Sequence, residues 1–252
     1  MAVKWVIEVI RDKFRAIVAD HRLGDEVVKV KIGTLSVKRA IGSPTRQDFP
    51  LLEGREVMIE AQFQDSYGQA FTDRPHDFTG SLNEILELDL NENDNRAIFI
   101  ATLNAVMAHL GMVTGVRHCH DEEPEECALE IACHILAEYG VVKVGMIGLQ
   151  PAILDNLVRT FGADNIRCND LNPNNIGSGK YGAEIWDGRT ETGRLIDWSD
   201  LLLVTSSTIV NNTFDDIQAE AASRDKNLII FGVTGAGISA LLDLKRLCFQ
   251  PH

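Results

Sequence analysis

The chain has 252 residues, 45% of them hydrophobic, and a formal net charge of −13. This length is sufficient for one large domain or two of ordinary size. The acidic balance argues against a nucleic-acid partner, because the phosphates would be repelled. No segment approaches the run of about 18 apolar residues that a membrane span needs, so no membrane partner is expected.

The N-terminal segment and the cysteines predict a cytoplasmic protein. The N-terminal segment carries charges every few positions, which predicts an amphipathic helix and not a signal peptide. Five cysteines without a secretion signal are expected to be reduced thiols. The sequence leaves homo-oligomer formation open.

The first part of the chain predicts a helix followed by antiparallel strands. Apolar residues recur at helical spacing from about Val3 to Asp20. Residues 26–41 alternate apolar and polar side chains around Gly33, as a hairpin does. A second strand pair is predicted around residues 64–68, where Gly68 can supply a positive φ.

Two helices complete this part. Ser81 and Glu84 have the spacing of a capping box and predict a short helix. Asn93 or Asp94 is expected to cap a longer apolar helix that stops at Gly111. We therefore expect an α+β domain over residues 1–112.

The pattern changes in the second part. Residues 113–140 are expected to form a connecting loop and a helix that begins near Pro124 and ends at Gly140. Continuous apolar strands then alternate with helices over residues 141–252, which is typical of a parallel sheet covered on both faces. The predicted class is α/β, with a small, four-stranded, doubly wound sheet after the α+β domain.

Ligands of such sheets bind beyond the carboxyl ends of the strands. The residues expected there are Gln150, Pro151, Asp170, Thr205, Ser206, Ser207, Thr208, Asn211, Gly232, Thr234 and Gly235. Asp170 follows Gly148 at about the distance of a ribose-binding acid, but the glycine spacing of a dinucleotide fingerprint is missing. The glycines of residues 232–237 open a helix whose free N–H groups could receive an anion, or they serve packing alone.

A thiol–imidazole cluster precedes the parallel sheet. The candidate metal ligands are His118, Cys119, His120, Cys127 and Cys248. Their spacing matches no standard zinc motif, since there is no C-x-x-C pair. The alternative is that Cys127 is a buried small hydrophobe and the histidines lie in a surface loop. Cys133 and Cys168 are expected in the core.

Three runs of the second half carry a family resemblance: VGMIGLQPAILDNL, DLLLVTSSTIVNNTFDDI and LIIFGVTGAG. They resemble the family labelled for putative heavy-metal chelation. The resemblance implies an enolase-like N-terminal domain, a Rossmann-like C-terminal domain, and metal or metal-chelate handling in the cleft between them. It places the strand-end residues named above in that cleft, whereas the His-Cys-His loop is not part of the family pattern.

Two main hypotheses follow, and neither names a reaction. The first is binding of a transition metal or metal chelate in the cleft, with His118, Cys119 and Cys127 as the first ligands to test. The alternative is an enzyme that uses a nucleotide or S-adenosylmethionine-like cofactor, with Asp170 on the ribose. A scaffold with a degenerate cofactor fold is the third reading.

Overall fold

A computed structural model describes residues 5–32, 41–49 and 57–252 of the chain. The elements of the first half are α1 (Trp5–Asp20), β1 (Val27–Ile32), β2 (Val57–Phe63), β3 (Ser66–Thr72), β4 (Phe78–Ser81), α2 (Leu82–Leu86) and α3 (Asn93–His109). Those of the second half are α4 (Glu123–Tyr139), β5 (Val144–Ile147), α5 (Pro151–Phe161), β6 (Ile166–Asp170), β7 (Gly179–Lys180), β8 (Ala183–Asp187), α6 (Thr192–Trp198), β9 (Leu201–Thr205), α7 (Ser207–Val210), α8 (Phe214–Ser223), β10 (Asn227–Phe231), α9 (Ala236–Leu242) and β11 (Arg246–Leu247). The predicted mixed α/β class is confirmed.

The first sheet is antiparallel and has the order β3-β2-β1-β4. The predicted first helix is confirmed as α1, which buries Ile10, Phe14 and Val18. Of the hairpin predicted over residues 26–41, the structure contains β1, which pairs with β2 and β4. Its second strand falls outside the described residues.

The second strand pair is confirmed, but its turn differs from the prediction. The positive φ belongs to Gln64, at 53°, while Gly68 lies inside β3. There the missing side chain of Gly68 lets the strand approach the α3 backbone at Ala101 and Ala105. The glycine therefore serves close packing of helix on sheet and not chain reversal.

The helix caps were predicted with mixed success. Ser81 and Glu84 form the expected capping box at the start of α2. The expectation that Asn93 or Asp94 caps α3 is wrong, because Glu92 is the N-cap and makes no side-chain cap hydrogen bond. The Asn93 side chain instead accepts a hydrogen bond from Thr72 Oγ1 at 3.0 Å.

Helix α3 is the element shared by both halves. Every residue from Arg96 to Met107 is buried, so the helix has no solvent-facing stripe over that stretch. One side packs on β2 and β3 of the first sheet, and the other contacts α7, α9 and the 3₁₀ turn Val233–Gly235. A single apolar cluster consequently runs from α1 and the first sheet into the second half.

The second sheet has the order β11-β10-β9-β5-β6-β8-β7, and its strands are parallel except for β7. The chain enters at β5, extends through β6 to β8, and then continues on the other side through β9 to β11. Both faces are apolar, since Leu202 and Val204 pack into one core cluster and Leu203 into the other. This is the pattern of a parallel sheet covered by helices on both faces.

The sheet has seven strands and not the four that the sequence predicts. The strand β8 was missed because its sequence, AEIWD, contains the carboxylates Glu184 and Asp187 and therefore has no continuous apolar run. Strands β7 and β11 contain only two residues each, too few for a periodic signal. Among the described residues, no helix is both long and apolar enough to cross a membrane.

Replacing Gly68 with Ala should destabilise the fold. The added methyl would overlap the backbone nitrogen of Ala105 and lie 2.5 Å from the Ala101 carbonyl oxygen. Because helix backbone cannot move aside cheaply, we expect a loss of about 1–3 kcal/mol in the free energy of unfolding, measured by urea denaturation. The control is Gly179→Ala, where nothing lies within 4 Å. Equal stability of the two variants would contradict the packing role of Gly68.

Candidate functional site

A cavity of about 140 Å³ lies at the carboxyl ends of the parallel strands, where the two halves of the molecule meet. Its floor comes from the loops after β5, β6, β9 and β10, including Gly148, Asp170 and Gly232. Phe71 of the first sheet and the first turns of α4 close its sides. Most of the remaining lining is apolar, so a ligand inside would be largely separated from water.

Three cysteines from separate stretches line this cavity: Cys119, Cys127 and Cys248. Cys119 lies in the loop before α4, Cys127 lies in α4, and Cys248 follows β11. The first and last stretches are held side by side by two backbone hydrogen bonds between Arg117 and His252, of 2.7 and 3.0 Å. Main-chain pairing therefore brings the end of the chain to the loop before α4.

The sulfur of Cys127 is a hydrogen-bond acceptor. The backbone N–H of Phe249 lies 3.3 Å away, and the Cys248 thiol and the Gln250 N–H also donate to it. Donation from Cys248, which outweighs the opposing effect of burial, is the main reason that the pKa of Cys127 is lowered to about 6. The pKa of Cys248 is raised in turn, since its proton is held against the Cys127 sulfur.

Burial governs the other two donors. Desolvation raises the pKa of the Cys119 thiol and lowers the pKa of His118, so the thiol and the neutral imidazole are favoured. The Nδ1 atom of His118 lies 2.7 Å from the Cys119 carbonyl oxygen. Because a carbonyl can only accept, Nδ1 carries the proton and Nε2 keeps the lone pair. Metal-binding histidines are commonly oriented by such a bond.

The remaining thiols and imidazoles lie elsewhere. The backbone N–H of His120 donates to Glu123 Oε2. The imidazole ring of His120 lies beside the ring of His252, and His120 does not line the cavity. Cys168 is buried, as expected, whereas the expectation that Cys133 lies in the core is wrong, because that thiol is exposed. Helix α4 turns Cys133 to solvent, and Cys127 faces the cavity.

The strand-end residues divide into two groups. Those that line the cavity are Gln150, Asp170, Thr205, Ser206, Ser207 and Gly232. Those that the structure places outside its lining are Pro151, Thr208, Asn211, Thr234 and Gly235. Of the latter, Thr208 Oγ1 donates to the Thr205 carbonyl at 2.6 Å, and Asn211 Oδ1 accepts from Asn93.

Two strand-end groups are occupied by hydrogen bonds within the protein. The Asp170 carboxylate accepts from the backbone N–H of Leu149 at 2.9 Å and of Asn172 at 2.7 Å. Gln150 Oε1 accepts from the Ile153 N–H at 2.7 Å and so caps α5. The residue expected to reach a ribose therefore fixes two loops, and the side chain of Gln150 occupies one of the N–H groups at the start of α5.

The glycine-rich turn after β10 is docked against the first half. Asn104 Oδ1 accepts from the Gly237 N–H at 2.8 Å, and Asn104 Nδ2 donates to the Thr234 carbonyl at 3.2 Å. Thr234 Oγ1 accepts from the Phe71 N–H at 3.1 Å. The expectation of free N–H groups in this turn is thus wrong at Gly237. At Gly237 the structure agrees with the other interpretation, in which the glycines serve packing.

The cavity is covered by residues 41–49, a segment that was not among the predicted site residues. Residues 41–49 supply Ile41 and Phe49 to the lining. Arg46 holds the segment down by an ion pair of 2.7 Å with Asp155 and another with Glu125. An isolated arginine between long polar stretches carries no periodic signal, so its partners could not be found from sequence.

The donors present can be tested against a metal. Within the described ranges, no group of three or more His, Cys, Asp or Glu side chains is arranged to hold an ion. The contact between Cys127 and Cys248 nevertheless provides two soft donors at one point, and Cys119 and His118 share the same cavity. Such a donor set fits a thiophilic ion, and it does not fit Mg²⁺ or Ca²⁺, which need oxygen ligands.

Residues 132–244 match the model of a family described as "Putative heavy-metal chelation" (DUF364). This confirms the family resemblance seen in the sequence. All three cavity cysteines lie outside the matched residues. No curated protein matches the chain.

The solved structures that are similar to the chain include two DUF364 family proteins. One is a DUF364 family protein of unknown function from Pyrococcus horikoshii, with 16% identity, a TM-score of 0.55, and coverage of 92% of this chain and 80% of that one. The other is a DUF364 family protein of unknown function from Desulfitobacterium hafniense, with 13% identity, a TM-score of 0.49, and coverage of 74% and 72%. At 16% identity the first similarity concerns the fold alone.

The lowered pKa of Cys127 predicts a shifted alkylation profile. The thiolate is the reactive form, so the rate of modification at Cys127 should rise with pH and level off above about 6. Cys248→Ala removes the main donor and should move the midpoint upward, toward the ordinary thiol value of about 8.5. Cys248→Ser keeps a donor and is the matched control. Peptide mass mapping after a short pulse with a small alkylating reagent measures this, and identical midpoints for wild type and Cys248→Ala would refute the assigned cause.

Proposed function

We propose that this protein binds a soft transition or heavy-metal ion in the cavity between its two halves. Cys127 and Cys248 are the primary sulfur ligands, with Cys119 and His118 beside them. The observation that carries the proposal is the convergence of three thiols from separate stretches on one cavity. Thiolates prefer ions such as Cu(I) and Zn(II), and the family description of heavy-metal chelation points the same way.

The electrostatics of the site support a cation. The chain carries a net charge of −13, which raises the local concentration of cations. His118 is favoured in the neutral form, so it adds no positive charge to repel an ion. When bound, the ion would act as a Lewis acid toward a further ligand, and binding would release the proton that Cys248 holds. Metal affinity is therefore expected to rise with pH.

The polar groups opposite the thiols support an organic or anionic part of the ligand. Thr205, Ser206 and Ser207 line the cavity beside Gly232. Hydroxyl groups can donate to or accept from a chelating molecule that arrives with the ion. A metal chelate is accordingly included in the proposal, together with the single ion.

The domain assignment belongs to the same proposal. We assign residues 1–112 to an enolase-like N-terminal domain, residues 113–140 to the connection, and residues 141–252 to a Rossmann-like domain. The antiparallel sheet with its helices supports the first assignment, and the strand order around β5 supports the last. Helix α4, within the connection, packs on α5 and so adjoins the Rossmann-like part.

A nucleotide or S-adenosylmethionine-like cofactor is the second candidate. It is favoured by the position of the cavity, because the chain continues from β5 to one side of the sheet and from β9 to the other, and doubly wound sheets hold their ligands at such a point. The hydrogen bonds already made by Asp170 and Gln150 weigh against it. The metal is therefore the preferred ligand.

Metal titration tests the primary proposal. Protein reduced and purified without oxygen should bind about one Cd(II) or Cu(I) per chain, measured by equilibrium dialysis and elemental analysis. Cys127→Ser and Cys248→Ser should each weaken binding by roughly tenfold to a hundredfold or more, because each removes a soft ligand. Cys133→Ser is the matched control, since that thiol is exposed on the same helix. Binding that all three variants leave unchanged would overturn the proposal.

Thermal shift assays separate the two candidates. Metal binding predicts that ATP, NAD and S-adenosylmethionine leave the melting temperature of the metal-free protein unchanged, whereas Cd(II) raises it. A concentration-dependent rise with any adenosine-containing ligand would favour the second candidate instead. Wild type and Cys127→Ser should respond alike to a nucleotide and differently to the metal.

A further inference from the structure

We infer that Cys127 and Cys248 form a redox-active dithiol, in which Cys127 reacts with a peroxide and Cys248 resolves the product into a disulfide. This function requires no metal and goes beyond the proposed chelation. Neither cysteine lies within the residues matched to the family. The inference rests on the presence of both thiols in the lining of one cavity, with the backbone N–H that follows Cys248 lying 3.3 Å from the Cys127 sulfur.

The two sulfurs are held together by the docking of the chain end. Gln250 Nε2 donates to Glu130 Oε1 at 2.6 Å, and His252 lies 2.7 Å from Glu123 Oε2, so both side chains tie the last residues to α4. The Phe249 N–H points at the Cys127 sulfur from 3.3 Å. Because Phe249 directly follows Cys248 in the chain, this contact places Cys248 beside Cys127.

The surroundings of Cys127 suit the reacting role. Hydrogen bonds from backbone N–H groups stabilise negative charge on sulfur, which a nucleophilic thiolate carries. A resolving cysteine beside the reacting one is the usual arrangement of thiol-based peroxide sensors. By contrast, Cys133 is exposed, and Cys168 is buried inside the sheet, away from the cavity lining.

The burial of the Cys127 thiol favours a small oxidant. A volume of about 140 Å³ admits a peroxide, since a molecule of water size occupies about 30 Å³. Cys127 is only 8% exposed, so larger disulfides reach its sulfur poorly. The oxidant is therefore a small hydroperoxide, with hydrogen peroxide as the simplest case.

The chemistry balances in two steps. The Cys127 thiolate attacks one peroxide oxygen, the O–O bond breaks, and Cys127 becomes a sulfenic acid while the leaving hydroxide takes up a proton as water. The Cys248 sulfur then loses its proton and attacks the Cys127 sulfur, forming the S–S bond and releasing the hydroxyl group as a second water. Two thiols and one peroxide thus give one disulfide and two waters.

Oxidation of the metal-free protein tests the inference. The full chain, reduced and treated with a chelator, is exposed to hydrogen peroxide, blocked with an alkylating reagent and mapped by non-reducing peptide mass spectrometry. We expect a peptide pair linked through Cys127 and Cys248, a loss of two hydrogens in the intact mass, and full reversal by a reducing agent. Oxidation of Cys127 should exceed that of Cys133 by roughly tenfold or more.

Variants separate the two roles. Cys248→Ser and Cys248→Ala should lose the disulfide and leave a sulfenic acid at Cys127 that dimedone traps, whereas Cys133→Ser should behave as the wild type. Melting temperatures check that each variant is folded. A Cys119–Cys127 disulfide, or reversible oxidation that persists in Cys127→Ser, would overturn the inference. Because no step of the oxidation contains a metal, the oxidation experiment can fail while the metal titration succeeds, and the reverse is also possible.

Discussion

The burial of α3 on all sides is the constraint on which the rest of the structure depends. A helix with no polar face cannot be stable beside water, so it requires the first sheet on one side and the second half of the chain on the other. Asn104, a buried polar residue on this helix, donates to the Gln69 carbonyl of the first sheet and also hydrogen-bonds across the junction to Thr234 and Gly237 of the second half. Because a buried amide is costly without partners, the two halves are fixed in register and not merely in contact. The cavity exists because this register leaves Phe71 opposite the strand ends.

The chemistry of the cavity depends on backbone hydrogen bonds between Arg117 and His252. The backbone bonds between Arg117 and His252 bring the chain end to the loop before α4, and this places Cys248 against Cys127. The two sulfurs share their protons unequally, since burial disfavours two thiolates while nearby N–H groups favour one. The same arrangement supplies one soft donor and a neighbouring thiol whose proton an incoming ion would displace. Those are the two requirements for binding a thiophilic ion near neutral pH.

Helices and strands with a periodic apolar pattern could be predicted from the sequence. Contacts between residues that are distant in the chain could not. Apolar runs were sufficient to predict α1, α4, α5 and the four central strands, whose patterns reflect burial on one or both faces. Strand β8 was missed, since two carboxylates interrupt its pattern. For the site, the thiol–imidazole cluster and the strand ends were identifiable as residue types at suggestive positions. The hydrogen bonds that occupy Asp170 and Gly237 were not, because they join residues whose proximity depends on the complete fold.

The proposed metal binding and the inferred disulfide make competing demands on the same pair of sulfurs. An ion held by Cys127 and Cys248 occupies the lone pairs that a peroxide would need, and a disulfide leaves neither sulfur as a thiolate ligand. Each process therefore weakens the other by mass action, without any change elsewhere in the molecule. A chelating pair of this kind would release its ion under oxidising conditions and recover it on reduction, which makes the redox state of two residues the determinant of metal occupancy.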